Sequence, residues 1–125
     1  MSKIKRTFDA LKKTGDGALI VYITGCDPSF SKCKKILRVV EKHADIVELG
    51  IPFSDPIADG PAIQAASERA LSAGADVKKI FVLIRDFRAY SNKPLVVMTY
   101  FNVILRGGVE KFVKEFSSVG GDGII

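Results

Sequence analysis

Asp45-Ile-Val-Glu-Leu-Gly-Ile-Pro-Phe-Ser-Asp-Pro-Ile-Ala-Asp-Gly-Pro61 contains, in succession, a short strand, a proline-rich loop and the start of a helix. Asp45–Gly50 has strand length and is apolar except at its ends and at Glu48. Alternate side chains of a strand share a face, so Ile46, Glu48 and Gly50 point one way while Val47, Leu49 and Ile51 point the other. The Val/Leu/Ile set suits a layer beneath outer helices. Glu48 then lies on the opposite face, near the carboxyl end of the strand. After the loop, Gly60-Pro61 opens a helix, and Asp59 stands where an N-cap is expected.

Before this stretch, residues 2–14 show helical spacing at Ile4, Phe8 and Leu11, and Gly15-Asp-Gly17 breaks that helix. Ala18–Thr24 is a continuous apolar run of the kind expected for a strand covered on both faces, and Gly25-Cys-Asp-Pro28 ends it. The pattern continues with a helix from Ser29 to Lys42, the strand around Glu48, and helices to Leu71 and over Val77–Tyr90. A strand over Leu95–Tyr100, a helix after Gly107-Gly108 reaching Val119, and a strand beginning at Gly120 complete it. Strands alternating with helices predict an α/β fold with a parallel sheet. Two architectures fit: a small open doubly wound sheet, or part of a (β/α)8 barrel, whose full form takes ~250 residues. Ile124-Ile125 is an apolar strand beginning at the end of the sequence, which would leave an uncovered edge. It points to a truncated barrel. No linker composition or internal repeat divides the chain, so residues 1–125 read as one partial domain.

At 47% hydrophobic and 26% charged, the composition is that of a globular protein. The net charge of +5 raises the question of nucleic acid. The densest basic group, however, is Lys32, Lys34, Lys35 and Arg38, interleaved with Ile36, Leu37, Val39 and Val40, as on a solvated helix face. A modest positive field would instead favour a phosphorylated ligand. Cys26 and Cys33 form no CxxC pair and there is one His, so no metal site is expected and both cysteines read as reduced. No run approaches the ~20 apolar residues of a membrane span, and the basic start lacks a signal-peptide core. These features predict a cytoplasmic protein without nucleic-acid or membrane partners.

A carboxylate inside a barrel is costly to ionise without partners, which suits general acid–base work, and barrel enzymes place their chemistry at the carboxyl ends of the strands. Glu48 fits that description, and equally fits a glutamate paired with a lysine or turned to solvent. Asp59 fits a simple helix cap as well as a functional role. Asp27 and Asp55, each before a proline, have turn explanations. Tyr22 and Tyr100 could stack on an aromatic ligand or pack with a wet hydroxyl. His43 suits the end of a helix dipole, and Gly107-Gly108 is a weak phosphate signal. No P-loop, dinucleotide fingerprint or nucleophile elbow is present.

The run Glu48–Pro61 closely resembles the signature of tryptophan synthase α subunits. So do Gly17–Thr24 with Asp27-Pro28, Ile63-Gln64 with Arg69–Leu71 and Gly74, and Met98, Tyr100, Asn102 and Gly108-Val109. The resemblance spans Gly15–Ile125 and implies the N-terminal half of a (β/α)8 barrel, with about four parallel strands. It implies a lyase that splits indole-3-glycerol phosphate into indole and glyceraldehyde 3-phosphate in tryptophan biosynthesis. Glu48 would move the protons, and Asp59 would accept the indole N–H and stabilise positive charge on the ring. Tyr22, Thr24, Met98 and Tyr100 would line the indole pocket. The loop from Pro52 to Gly60, with Phe53 and Asp55, would be the mobile loop that communicates with the β subunit of an α2β2 complex, and Asn102 would lie in that contact. No cofactor is implied for this chain, since pyridoxal phosphate belongs to the β subunit. Gly25-Cys26 departs from the family's usual small residue and glycine. The larger departure is length, because the family's second half supplies a further active-site tyrosine, a closing loop and the phosphate-binding segments. Independent activity is therefore expected to be incomplete. The alternative is a non-catalytic half barrel that binds the β subunit or another half barrel.

Overall fold

The structure, a computed structural model, describes residues 1–125. Its elements run α1 (Lys3–Thr14), β1 (Ile20–Thr24), α2 (Phe30–His43), β2 (Ile46–Gly50), α3 (Pro61–Ser72), α4 (Val77–Arg88), β3 (Leu95–Met98), α5 (Phe101–Gly107), α6 (Val109–Ser118) and β4 (Gly123–Ile124). The four strands pair in parallel in the order β1-β2-β3-β4. A doubly wound sheet reverses its order at a switch point, and this sheet does not. Consecutive order with right-handed crossovers sends each connecting helix to the same face, as in a sector of a (β/α)8 barrel. The open-sheet alternative is thereby set aside.

The period-two reading of β2 holds. Val47 and Leu49, with Leu95 and Val97 of β3, are fully buried against Leu37 of α2 and Ile80, Ile84 and Phe87 of α4. Each such side chain removed from water contributes about 1.5–3 kcal/mol. The register pairs Tyr22 with Glu48, Glu48 with Val96, Gly50 with Met98, and Val96 with Gly123, which places these residues together on the inner face. α1 lies against the lower part of that face. A Cβ added to Gly123 would stand 3.2 Å from the Ile4 Cδ1, and Lys3 pairs with Asp122 at 3.6 Å.

Polar staples gather at the amino ends of the strands, the face of a barrel that serves stability. The Leu19 N–H donates to the Asp45 carboxylate at 2.8 Å, and the Leu95 N–H to Asp122 at 2.9 Å. Asp122 also pairs with Arg88, which donates to the Gly120 carbonyl at 2.7 Å. Lys93 Nζ donates to the Ala44 carbonyl at 2.8 Å.

Helix ends follow sequence chemistry where a side chain reaches back. Ser2, Ser29 and Asp76 accept from the N–H groups of Lys5, Lys32 and Lys79. Two expectations are corrected. Asp59 is not the cap of α3; Gly60 holds that position with no side-chain bond, and Pro61 begins the helix. The third strand stops at Met98 instead of reaching Tyr100, which becomes the N-cap of α5, a helix the β-branched composition of this segment had concealed. Phe101, Ile104 and Leu105 carry its helical spacing, with Ile104 buried.

Candidate active site

The inner face presents its polar groups toward the carboxyl ends of β1 and β2. Glu48 is partly buried between Tyr22 and Val96 in the sheet register. Two residues further along the same face is Gly50, and its lack of a side chain is what admits Tyr22. A Cβ at Gly50 would lie 2.1 Å from the Tyr22 hydroxyl and 2.7 Å from the ring carbon bearing it. The ring therefore crosses above the end of β2, with Tyr22 Oη and Thr24 Oγ1 hydrogen-bonded at 3.1 Å. Burial pushes the Tyr22 phenol above its ordinary pKa. The hydrogen bond with Thr24 opposes that shift, whereas the Asp59 and Glu48 carboxylates reinforce it. Tyr22 thus senses both acids, one from the sheet and one from the loop.

A cleft of about 240 Å³ opens beside this group. Tyr22, Asp59, Met98 and Tyr100, four of the residues singled out in the sequence, line it. Glu48 does not; it stands one step deeper on β2, below Gly50. Thr24 is buried and reaches the cleft through its bond to Tyr22. Ile51, Ala58, Ile63, Ser67, Thr99 and Ile125 also line the cleft, and none of them was read from the sequence as a site residue. Ser67 follows Ile63 by four positions on α3, the separation that places two side chains on one helix face.

The loop between β2 and α3 forms the rim. Pro52 is buried at its start, and Phe53 packs on Tyr100 with ring centroids 4.9 Å apart. The Ala58 N–H donates to Tyr100 Oη at 2.9 Å, so Tyr100 latches the loop as well as lining the cleft. Gln64 Nε2 donates to the Asp59 carbonyl at 2.6 Å. The Asp59 backbone is thereby held while its carboxylate, free of capping duty, borders the cleft. Asp55 is exposed and accepts from Ser54 at 2.9 Å, and Asn102 is exposed in the first turn of α5; the structure brings neither to the cleft. Asp27, read as a turn residue, also accepts from Arg69 Nε and Nη2, each at 2.8 Å, which ties the β1–α2 turn to α3.

A parallel sheet carrying helices on one face, with acids and an aromatic-walled cleft at the carboxyl ends of its strands, defines a (β/α)-barrel enzyme scaffold. The family model described as "Tryptophan synthase alpha chain" matches residues 8–125. The chain belongs to the tryptophan synthase alpha chain family. It is 46% identical to the tryptophan synthase alpha chain of Caldanaerobacter subterraneus subsp. tengcongensis over its whole length, and 48% identical over 98% of its length to that of Methanosarcina acetivorans. These alignments cover 48% and 45% of the two relatives, so the chain spans about half the length of the curated relatives it matches. Among solved structures, the tryptophan synthase subunit alpha of Legionella pneumophila superposes over 99% of this chain and 48% of its own, with a TM-score of 0.95 and 36% identity. A chain from the tryptophan synthase α2β2 complex of Pyrococcus furiosus superposes over 87% of this chain and 47% of its own, with a TM-score of 0.84 and 45% identity. No helix is long and apolar enough to cross a membrane.

Proposed function

We propose that this chain supplies the acid–base half of a lyase site that cleaves indole-3-glycerol phosphate into indole and glyceraldehyde 3-phosphate. The observation that carries the reading is the placing of Glu48 and Asp59 on either side of Tyr22, which with Asp59 lines an apolar cleft at the strands' carboxyl ends. Cleavage of a carbon–carbon bond to an indole ring needs a proton delivered to the ring carbon and another removed from the side-chain hydroxyl. Glu48, inside the sheet, is the group assigned to those transfers. Protonation leaves the ring cationic, and an ionised carboxylate at its N–H stabilises that charge. Asp59, on the cleft rim, is assigned that role, with Tyr22, Met98 and Tyr100 as walls for the ring and Thr24 setting the Tyr22 hydroxyl. These transfers require no cofactor on this chain.

The partner is a β subunit, engaged through the Pro52–Gly60 loop with Phe53 and Asp55, and through the Asn102 region. Solvent-facing Asp55 and Asn102, which touch nothing in the cleft, support that division of labour. Pyridoxal phosphate stays with that partner. Release of indole from indole-3-glycerol phosphate by the chain, with and without β subunit and beside a Glu48→Gln variant, tests the reading. The expected turnover lies far below that of a full-length relative, because the phosphate-binding segments implied by the family belong to the half this chain does not span. Turnover equal to that of a full-length relative, or release indifferent to Glu48→Gln, would refute it.

A further inference from the structure

The loop that carries Asp59 runs into a helix that has no side-chain cap. Gly60 offers α3 no oxygen and Pro61 has no N–H, so the N–H groups of Ala62 and Ile63 open the helix without a side-chain acceptor. Asp59 is the acid nearest to them in the chain, and uncapped helical N–H groups attract a carboxylate through hydrogen bonding and the helix dipole. Capping would draw the Asp59 carboxylate out of the cleft it borders. Bonds on both sides of Asp59 oppose that movement. The Ala58 N–H donates to Tyr100 Oη at 2.9 Å, and the Asp59 carbonyl accepts from Gln64 Nε2 at 2.6 Å. The dipeptide Ala58-Asp59 is thus fixed at its entry and at its exit. The same Gln64 nitrogen lies 3.4 Å from the Pro56 carbonyl, which also accepts the Asp59 N–H at 3.3 Å. One side-chain amide near the start of α3 therefore fastens the whole turn from Pro56 to Asp59. Gln64 is exposed, so these bonds, and not burial, are what its side chain contributes.

We propose that Gln64 is a positioning residue of the site: its amide holds the Asp59 backbone in the conformation that keeps the carboxylate in the cleft and away from the start of α3. The inference rests on the reading of Asp59 as acceptor for the indole N–H and deepens it. Gln64 does not line the cleft and acts through Asp59. Its loss weakens recognition of the ring N–H and leaves the apolar grip on the ring unchanged. Methionine matches its length without the donor, and an ionised glutamate only accepts, so neither replaces it.

The chain contains no tryptophan, so the fluorescence of added indole, and of 1-methylindole, which lacks the N–H, reports binding without background. The preference for indole over 1-methylindole is measured near neutral pH in the wild type, Asp59→Ala, Gln64→Met and Gln64→Glu. Both replacements of Gln64 are good helix formers, so α3 is kept. The wild-type preference should exceed that of Asp59→Ala by about tenfold, the worth of a hydrogen bond to a carboxylate. In each Gln64 variant that excess should fall by about threefold or more, with 1-methylindole affinity unchanged, and Gln64→Met should add nothing in the Asp59→Ala background. A merely structural glutamine would weaken both ligands together. That parallel loss, or a wild-type preference in both Gln64 variants, would overturn the inference and leave the Asp59 reading standing. A wild-type preference no larger than that of Asp59→Ala would overturn the Asp59 reading and this inference with it.

Discussion

Gly50→Ala puts the geometry of the site under direct strain. The added methyl would stand 2.1 Å from the Tyr22 hydroxyl, 2.7 Å from the ring carbon bearing it and 2.9 Å from a second ring carbon, so rotation of the hydroxyl alone gives no relief. The whole ring must swing by more than about 1 Å to restore ordinary contact, breaking its bond to Thr24. Overpacking of this kind costs about 1–3 kcal/mol, and the lost hydrogen bond adds about 1 kcal/mol. Urea unfolding followed by circular dichroism should therefore show a loss of about 2–4 kcal/mol for Gly50→Ala. In a Tyr22→Val background the three atoms nearest that methyl are gone, and the cost should fall below about 1 kcal/mol. An equal cost in both backgrounds would refute the claim that Gly50 is glycine to admit Tyr22.

Three further outcomes follow from the structure. Asp122→Ala removes the partner of Arg88, whose guanidinium is already less basic than usual because it is buried, and the acceptor for the Leu95 N–H; a loss of about 2–4 kcal/mol is expected in the same urea assay. Tyr100→Phe removes the acceptor of the Ala58 N–H, so amide exchange across the 51–60 loop should quicken while global stability falls by about 1 kcal/mol. Burial, reinforced by neighbouring Cys33, pushes the Cys26 thiol from 9.0 up to about 11. The folded state then holds its proton where the unfolded state releases it, so stability should be constant below about pH 9 and decline by up to about 3 kcal/mol as pH rises to 11. Cys26→Ala should make that decline shallower, with the remainder carried by Cys33, whose thiol burial also pushes up.

Much of the fold was legible because its signals are local. Strand period two placed Glu48 opposite Val47 and Leu49, and the Gly and Pro breaks located most helices within a few residues. The site was legible in its residues but not in its geometry. Asp59 looked like a cap because an acid before Gly-Pro usually is one; here Gly60 takes the position, and the Gln64 bond to the Asp59 carbonyl replaces capping. α5 was missed because Phe101–Leu105 mixes strand-forming and helical spacing, and only the parallel pairing that ends near Met98 decides between them. The Tyr100 latch, the Asp27–Arg69 pair and the Arg88–Asp122 cluster join residues at least 32 positions apart, which no short pattern records. Ser67 carried a usable signal in its four-residue spacing from Ile63.

The central claim, that Glu48 moves the protons of the cleavage, is tested most directly by joining this chain to the second half of a full-length relative such as the Caldanaerobacter subterraneus alpha chain. Indole release from indole-3-glycerol phosphate is then measured with and without Glu48→Gln. The account predicts release by the joined protein and a loss of about 10²- to 10⁴-fold in the variant, the usual worth of a positioned acid–base group. Undiminished release from the Glu48→Gln protein would contradict it.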